Sequence, residues 1–178
     1  QIVDMMAPTN FFGTNPDALE RAVETEGRSL ITGLENLITD LEANEGELIV
    51  KLADESAFEV GGNIATSPGK VIFRNDMMEL IQYTPTTDEV YETPIVIFPP
   101  WINKYYILDL KQQNSLIKWI TDQGYTLFVV SWINPDASHR QVGLEDYIER
   151  GYLKAFDIVK DVTGQPEVNA IGYCIAGT

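Results

Sequence analysis

Residues 168–178, VNAIGYCIAGT, carry the strongest signal in the chain. An apolar run leads into Gly172-Tyr173-Cys174-Ile175-Ala176-Gly177, which contains the only cysteine of the sequence. This pattern is typical of a nucleophile elbow, a strand that turns sharply into a helix and lifts a nucleophilic side chain off the sheet. We therefore predict that Cys174 accepts an acyl group, with small residues at Gly172 and Ala176 allowing the turn. The alternative is a buried structural cysteine.

Upstream of the elbow, short apolar strands alternate with amphipathic helices. Helices are predicted from about Leu116 to Gly124 and from Leu144 to near Gly164. The predicted strands are Val71–Phe73, Glu79–Tyr83, Ile95–Phe98, Tyr125–Trp132 and Val168–Tyr173. This alternation predicts an α/β fold with a mostly parallel sheet and helices on both faces. The elbow then follows the fifth strand, as it does in an α/β-hydrolase fold.

The first third of the chain is predicted to be helical. Thr14-Asn15-Pro16-Asp17 is a helix start, and apolar residues then recur at helical spacing as far as Leu41. Gly27 is expected to break this helix, and residues 1–13 are expected to be irregular. We predict a helical N-terminal region over residues 1–69. Residues 70–178 are predicted to form the first half of an α/β-hydrolase domain that ends after the elbow.

Composition excludes several classes of partner. The net charge is −15, and residues 1–60 contribute 13 acidic and 3 basic side chains to it. Such a surface argues against nucleic acid or anionic lipid, although a phosphate-bearing ligand needs only a local basic patch. The sequence contains no apolar run of membrane-spanning length, no metal-ligand cluster and no phosphate-binding glycine motif, so we expect no transmembrane segment, metal or bound cofactor. A single cysteine fits a cytoplasmic protein.

Two backbone N–H groups are expected to form an oxyanion hole. The first belongs to Ile175, directly after the nucleophile. The second should come from the loop after the third strand, which begins with Pro99-Pro100. Because prolines have no N–H, this donor is Trp101 or Ile102, and we favour Ile102. Asn103 and Tyr105, together with Trp101, are candidates for substrate contact, with local packing as the alternative.

His139, the only histidine, is a weak candidate for the catalytic base. In an α/β-hydrolase fold the acid and the histidine follow the nucleophile along the chain. His139 precedes Cys174 and lies in a turn-rich segment, so chain order argues against it. For the same reason the sequence offers no good triad acid.

Several long strings resemble polyhydroxyalkanoate synthases, over essentially the whole chain. They are Thr14-Asn15-Pro16, Gly33–Leu37 (GLENL), Thr66–Val71 (TSPGKV), Pro99–Leu110 (PPWINKYYILDL), Ser131–Asp136 (SWINPD) and Ala170–Thr178 (AIGYCIAGT). Tryptophan before Ile102-Asn103-Lys104 resembles the class I branch, which prefers short-chain substrates. The chain starts without Met, and we expect it to be an N-terminal piece of such a synthase.

The resemblance implies an acyltransferase that polymerises (R)-3-hydroxyacyl-CoA, for a class I enzyme 3-hydroxybutyryl-CoA, into polyhydroxyalkanoate and releases CoA. Cys174 would carry the growing chain as a thioester, and an aspartate and a histidine downstream would complete the triad. The resemblance also implies a homodimer and a cytoplasmic, granule-associated protein. The 178 residues alone are expected to be inactive. Two alternatives remain: a cysteine-type hydrolase or thioesterase of the same fold, and a non-enzymatic interaction module built on residues 14–44.

Overall fold

The computed structural model describes residues 2–11, 13–50 and 52–178. These residues form two compact units, Gln1–Glu55 and Ser56–Thr178. The domain plan of residues 1–69 and 70–178 stays a prediction. Across the described ranges, no helix combines the length and apolar character needed to cross a membrane.

The first unit is helical, as predicted. Its helices are α1 (Ile2–Met5), α2 (Pro16–Glu24) and α3 (Arg28–Ala43), with a 3₁₀ turn at Pro8–Asn10. The Asn15 side chain caps α2 by accepting hydrogen bonds from the N–H groups of Asp17 and Ala18. Gly27 separates α2 from α3 with a φ of +84°, which L side chains rarely adopt. The expectation of irregular structure over residues 1–13 was wrong for α1, because one helical turn carries too little periodicity to detect.

The second unit contains one five-stranded sheet. Its strands are β1 (Gly69–Arg74), β2 (Met78–Tyr83), β3 (Tyr91–Phe98), β4 (Tyr125–Trp132) and β5 (Asn169–Gly172). All five predicted strands are present, and β4 has the predicted bounds. β3 begins four residues before the predicted Ile95, because the polar residues of its first half mask the strand pattern.

The sheet is mixed, which corrects the prediction of a mostly parallel sheet. The spatial order is β1-β2-β4-β3-β5. β2 runs antiparallel to both β1 and β4, whereas β3 runs parallel to β4 and β5. The short connection from β1 to β2 leaves room only for a hairpin, and a hairpin is antiparallel. The three parallel strands therefore bring their carboxyl ends, including Phe98 and Gly172, to one edge.

The sheet has an apolar core on each face, which confirms the prediction of helices on both sides. Helix α4 (Leu116–Asp122) covers one face with Ile117 and Ile120. A longer helix covers the other face and consists of α5 (Leu144–Asp146), a π-helical segment (Tyr147–Leu153) and α6 (Lys154–Thr163). Because successive strand residues point to opposite faces, Val96 and Phe98 belong to the second core and Ile97 to the first.

The buried carboxylate of Asp109 joins three segments of this unit. Its oxygens accept hydrogen bonds from the Ser67 N–H (3.0 Å), the Ser67 hydroxyl (2.8 Å) and the Ser115 hydroxyl (2.5 Å). Ser115 in turn caps α4 by accepting a hydrogen bond from the Lys118 N–H. Asp109 therefore has a structural role, since a buried carboxylate is tolerated only when such donors surround it.

Gly151 lies in the π-helical segment, and its lack of a side chain leaves space for the indole ring of Trp132. A Cβ atom at position 151 would lie 2.5 Å from Cζ3 and 2.7 Å from Cη2 of that ring. The ring cannot shift freely, because its Nε1–H donates to the Pro99 carbonyl at 2.7 Å. The π-helical turn and the glycine together let the helix approach β4 at its carboxyl end.

Replacing Gly151 with alanine is expected to lower the free energy of unfolding of the second unit by about 2 kcal/mol. Overpacking costs about 1–3 kcal/mol, and the gain of up to about 1 kcal/mol in helix propensity offsets it only in part. Denaturant unfolding followed by tryptophan fluorescence measures this change, because all three tryptophans lie between residues 101 and 132. Gly33→Ala is the control: no atom lies within 4 Å of the new methyl group, so the midpoint followed by tryptophan fluorescence should not fall, and circular dichroism should show helix α3 intact. An unchanged midpoint for Gly151→Ala would contradict the close contact.

Candidate active site

Cys174 lies directly after β5 in a strained backbone conformation. Its φ is +56°, a value that is uncommon for residues other than glycine, and its side chain is exposed. The Tyr173 N–H donates to the Phe98 carbonyl at 3.1 Å, which extends the pairing of β5 with β3 up to the turn. A 3₁₀ turn, Cys174–Gly177, follows. Strained residues concentrate at functional sites, and this one lifts a thiol off the edge of the sheet.

The closeness of two glycine backbones makes this turn possible. A Cβ atom on Gly172 would lie 2.5 Å from Cα of Gly177 and 2.8 Å from the Ala176 carbonyl oxygen. The predicted close approach at Gly172 and Ala176 includes the Ala176 carbonyl oxygen, and the backbone of Gly177, which was not predicted, lies nearer still. Ala176 is buried in the core, and its carbonyl accepts a hydrogen bond from the Tyr152 hydroxyl at 2.9 Å.

The loop after β3 reaches the same edge of the sheet. The Asn103 N–H donates to the Pro100 carbonyl at 3.0 Å, which closes a turn over residues 100–103. Ile102, the favoured second donor, lies in this turn with 77% of its surface exposed. Trp101 packs beside the Tyr147 ring, with 4.8 Å between the ring centroids. Since β3 and β5 are neighbours, the two loops that carry the candidate donors Ile102 and Ile175 leave adjacent strand ends.

The remaining candidates of this loop lie in different surroundings. Tyr105 packs against the core on the α4 face, not against the aromatic rings around Trp101. Burial, with smaller contributions from neighbouring Tyr106 and Asp109, raises the pKa of Tyr105. Asn103 is exposed. Between them, the Lys104 ammonium donates to the Asn134 side chain at 2.7 Å and so joins the loops after β3 and β4. Substrate contact by Asn103 or Tyr105 stays a prediction.

An apolar cavity of about 680 Å³ adjoins the elbow. Its lining comes from the loop after β3, the helix that begins at Leu144, and the turn that follows the cysteine. The lining residues are Trp101, Leu144, Ile148, Tyr152, Ile175, Ala176 and Thr178. Sequence reasoning identified Trp101 and Ile175 but missed Leu144, Ile148 and Tyr152, whose helical spacing indicated only a core-facing stripe.

His139 takes part in a local cap. Its Nδ1 lies 3.2 Å from the Asp136 backbone nitrogen and 3.0 Å from the Asp136 carboxylate, at the start of a 3₁₀ turn, Ala137–His139. The same carboxylate accepts hydrogen bonds from the Ser138 hydroxyl (2.6 Å) and N–H (2.8 Å). These contacts give His139 a structural role that is independent of Cys174.

The Asp136 carboxylate is expected to titrate far below an ordinary aspartate. Hydrogen bonds from the Ser138 hydroxyl and N–H, and then from His139, lower the pKa of Asp136 from 3.8 to about 2. Because the lowered pKa belongs to the folded state, these bonds stabilise the turn fully above about pH 3.8, and the stabilisation is lost as the pH falls through about 2. A carboxyl ¹³C NMR titration measures the midpoint, which Ser138→Ala should move towards 3.8. Asp122 serves as the internal control, because its lowered pKa depends on Lys118 and Thr86. A wild-type Asp136 midpoint near 3.8 would contradict the hydrogen-bonded cap.

Within the described part of the chain, no group of three or more His, Cys, Asp or Glu side chains could hold a metal ion. The Cys174 turn combines an exposed thiol, a neighbouring apolar cavity and two loops that carry candidate backbone donors. This arrangement suits acyl transfer through a thioester.

Comparisons with known proteins agree with the sequence resemblance. A family model described as the poly-beta-hydroxybutyrate polymerase (PhaC) N-terminus matches residues 1–120. The whole chain is 49% identical to 29% of a poly(3-hydroxyalkanoate) polymerase from Methylorubrum extorquens. It is 44% identical to 30% of the poly(3-hydroxyalkanoate) polymerase subunit PhaC from Cupriavidus necator. Poly(3-hydroxyalkanoate) polymerase 2 from Ectopseudomonas oleovorans is 39% identical over 176 residues, which are 99% of this chain and 31% of that protein. The chain thus spans about 30% of the length of these curated relatives.

Proposed function

The chain belongs to the poly-beta-hydroxybutyrate polymerase family, and from this membership we propose that a full-length protein containing it polymerises (R)-3-hydroxyacyl-CoA into polyhydroxyalkanoate. The observation that carries the proposal is Cys174, held at a φ of +56° at the end of β5. A strained, exposed nucleophile at a strand end is the arrangement that acyl transfer needs.

The proposed catalytic fold is that of an α/β-hydrolase, of which residues 70–178 form the first half. Three features support it. Five strands precede the elbow in chain order. β3 has parallel neighbours on both sides, so the connections after β3 and β4 lead to opposite sides of it. Such a switch point is where open α/β sheets bind ligands, at the carboxyl ends of the strands.

Chain growth would proceed in two acyl transfers. In the first, the Cys174 thiolate attacks the thioester carbonyl of hydroxyacyl-CoA, the bond from carbon to the CoA sulfur breaks, and CoA takes up the proton. In the second, the 3-hydroxyl oxygen of the next hydroxyacyl-CoA attacks the thioester on Cys174, a base receives the hydroxyl proton, and the carbon–sulfur bond breaks to release the Cys174 thiolate. The extended chain is then a thioester of CoA and returns to Cys174 by the first transfer. The first exchange is nearly thermoneutral, because one thioester replaces another. The N–H groups of Ile175 and Ile102 are proposed to stabilise the oxyanion in both transfers.

The apolar cavity supports polymerisation over hydrolysis. Water and a 3-hydroxyl group attack the same acyl-enzyme, so a polymerase must keep water away from the thioester. The cavity beside Ile175 and Trp101 is lined mainly by apolar and aromatic side chains. We propose that acyl groups held in this cavity displace water from the neighbourhood of Cys174, whose side chain is otherwise exposed.

We further propose that the full-length protein is a homodimer associated with polyester granules. The first unit supports an interaction role, because large apolar side chains of α3 remain exposed, such as Ile31 (61%) and Leu34 (57%). Deleting residues 1–60 from the full-length protein should then reduce dimerisation, measured by sedimentation, and granule attachment, measured by cell fractionation. Unchanged values for both would contradict this role.

The product distinguishes the proposed activity from that of a thioesterase. A full-length protein containing these residues should convert (R)-3-hydroxybutyryl-CoA into insoluble polyester, with one CoA released per monomer. Free 3-hydroxybutyrate as the main product would contradict the proposal. The 178-residue chain, assayed alone, should release CoA at least about a thousandfold more slowly, because its one histidine lies in the Asp136 cap.

A further inference from the structure

We propose that Trp132 is a positioning residue for acyl transfer, because its indole N–H holds the loop that carries the candidate oxyanion donor Ile102. The proposal rests on the proposed function. It adds a residue that lies outside the elbow and outside the loop itself.

The loop after β3 begins with two residues that cannot donate backbone hydrogen bonds. Pro99 and Pro100 have no N–H, so only their carbonyl groups can fix the orientation of the loop. The Pro99 carbonyl accepts a buried hydrogen bond from Trp132 Nε1 at 2.7 Å. The Pro100 carbonyl accepts from Asn103 within the loop. Trp132 therefore ties the start of the loop to the end of the neighbouring strand β4.

The indole ring is itself held in one position. Its six-membered ring packs directly against Gly151, where any larger residue would overlap Cζ3 and Cη2. The ring centroids of Tyr147 and Tyr152 both lie 5.4 Å from that of Trp132. Trp101, the first residue after the two prolines, meets the Trp132 ring edge to face at 6.3 Å. A ring fixed on several sides can hold a hydrogen-bond partner at a fixed distance and angle.

The same aromatic cluster also reaches the other half of the candidate oxyanion hole. Tyr152 stacks on Phe98 with 4.4 Å between centroids, and its hydroxyl donates to the Ala176 carbonyl at 2.9 Å. One cluster thus contacts both the loop that bears Ile102 and the turn that bears Ile175. Trp132 is the member that holds the loop. Without the Trp132 N–H, the loop would lose its hydrogen bond to β4. The elbow would keep the hydrogen bond that it accepts from Tyr152.

Two substitutions test this role in a full-length polymerase that contains these residues. Trp132→Phe removes the N–H and keeps an aromatic ring, and replacement of Trp132 by 3-benzothienylalanine exchanges the N–H for sulfur at nearly constant shape. We expect kcat to fall about ten- to a hundredfold in each, because a displaced oxyanion donor loses much of its effect. KM for 3-hydroxybutyryl-CoA should stay within about twofold. Trp119→Phe, an exposed tryptophan on α4, is the matched control and should keep full kcat.

The readout separates positioning from mere stability. Rates are normalised to the concentration of folded protein, measured by gel filtration and circular dichroism, so unfolded protein does not contribute. If Trp132→Phe fails to fold, the benzothienyl variant decides the question. A kcat within twofold of wild type in a folded variant would overturn the proposal, as would a loss of activity explained entirely by less folded protein. The proposed function fails separately, if a Cys174→Ala variant still forms polymer.

Discussion

Replacing Cys174 with alanine should abolish polymer formation in a full-length protein, lowering kcat at least about a thousandfold. The thiol is the proposed acyl carrier, and loss of a nucleophile in such enzymes costs several orders of magnitude in rate. CoA release from 3-hydroxybutyryl-CoA measures the loss, and radiolabelled substrate shows whether an acyl group remains attached to the protein.

The fold should tolerate this substitution, because the Cys174 side chain is exposed. Thermal unfolding of the variant should therefore match that of wild type within a few degrees. Cys174→Ser is a stricter control, since it keeps a potential nucleophile. A hydroxyl is the weaker nucleophile at neutral pH, so this variant should also be strongly impaired. Polymer formation by Cys174→Ala at more than a tenth of the wild-type rate would exclude Cys174 as the acyl carrier.

Replacing Gly172 with alanine should lower kcat about a hundredfold or more, although position 172 bears no reactive group. The new methyl group would lie within 3.0 Å of three atoms: Cα and N of Gly177, and the Ala176 oxygen. Backbone atoms cannot rotate away as a flexible side chain can, so the turn must open. A shift of about 1 Å in a nucleophile can cost about a hundredfold in rate.

Single-turnover acylation of Cys174 measures this effect directly, because it isolates the step that the turn geometry controls. Gly143→Ala is the matched control: no atom lies within 4 Å of its new Cβ, and its φ of −107° suits any residue. The control should keep its acylation rate within about twofold. If Gly172→Ala is acylated at the wild-type rate, the close approach of Gly172 and Gly177 does not control the position of the Cys174 thiol.

Local patterns in the sequence were sufficient to place most secondary structure. Apolar runs located all five strands, and Asn15 and Gly27 marked the start of α2 and its separation from α3. These signals are readable because capping, turn formation and periodic burial act over a few neighbouring residues. The pattern of the predicted nucleophile elbow is local for the same reason, since its glycines and its cysteine lie within six residues.

The antiparallel pairing of β2 with β4 and the surroundings of the cysteine could not be read from the sequence. The predicted sheet was mostly parallel, whereas β2 is antiparallel to both of its neighbours. The hydrogen bond from Trp132 to Pro99 spans 33 residues. The packing of the indole ring against Gly151 depends on a π-helical turn. Helical spacing showed which residues face a core, but it did not show which of them, such as Tyr152, meet the elbow.

Residue types and their spacing are enough to identify the chemical groups that this chain offers. These are a thiol directly after a predicted strand, prolines that limit the donors of the preceding loop, and strings that resemble one enzyme family. How these parts are held together is visible only in the folded chain, because contacts between distant segments arise from packing and leave no local pattern. Gly172 and Gly177 illustrate the division. The sequence shows both as small residues near Cys174, but it is the fold that brings their backbones together and holds Cys174 in its strained conformation.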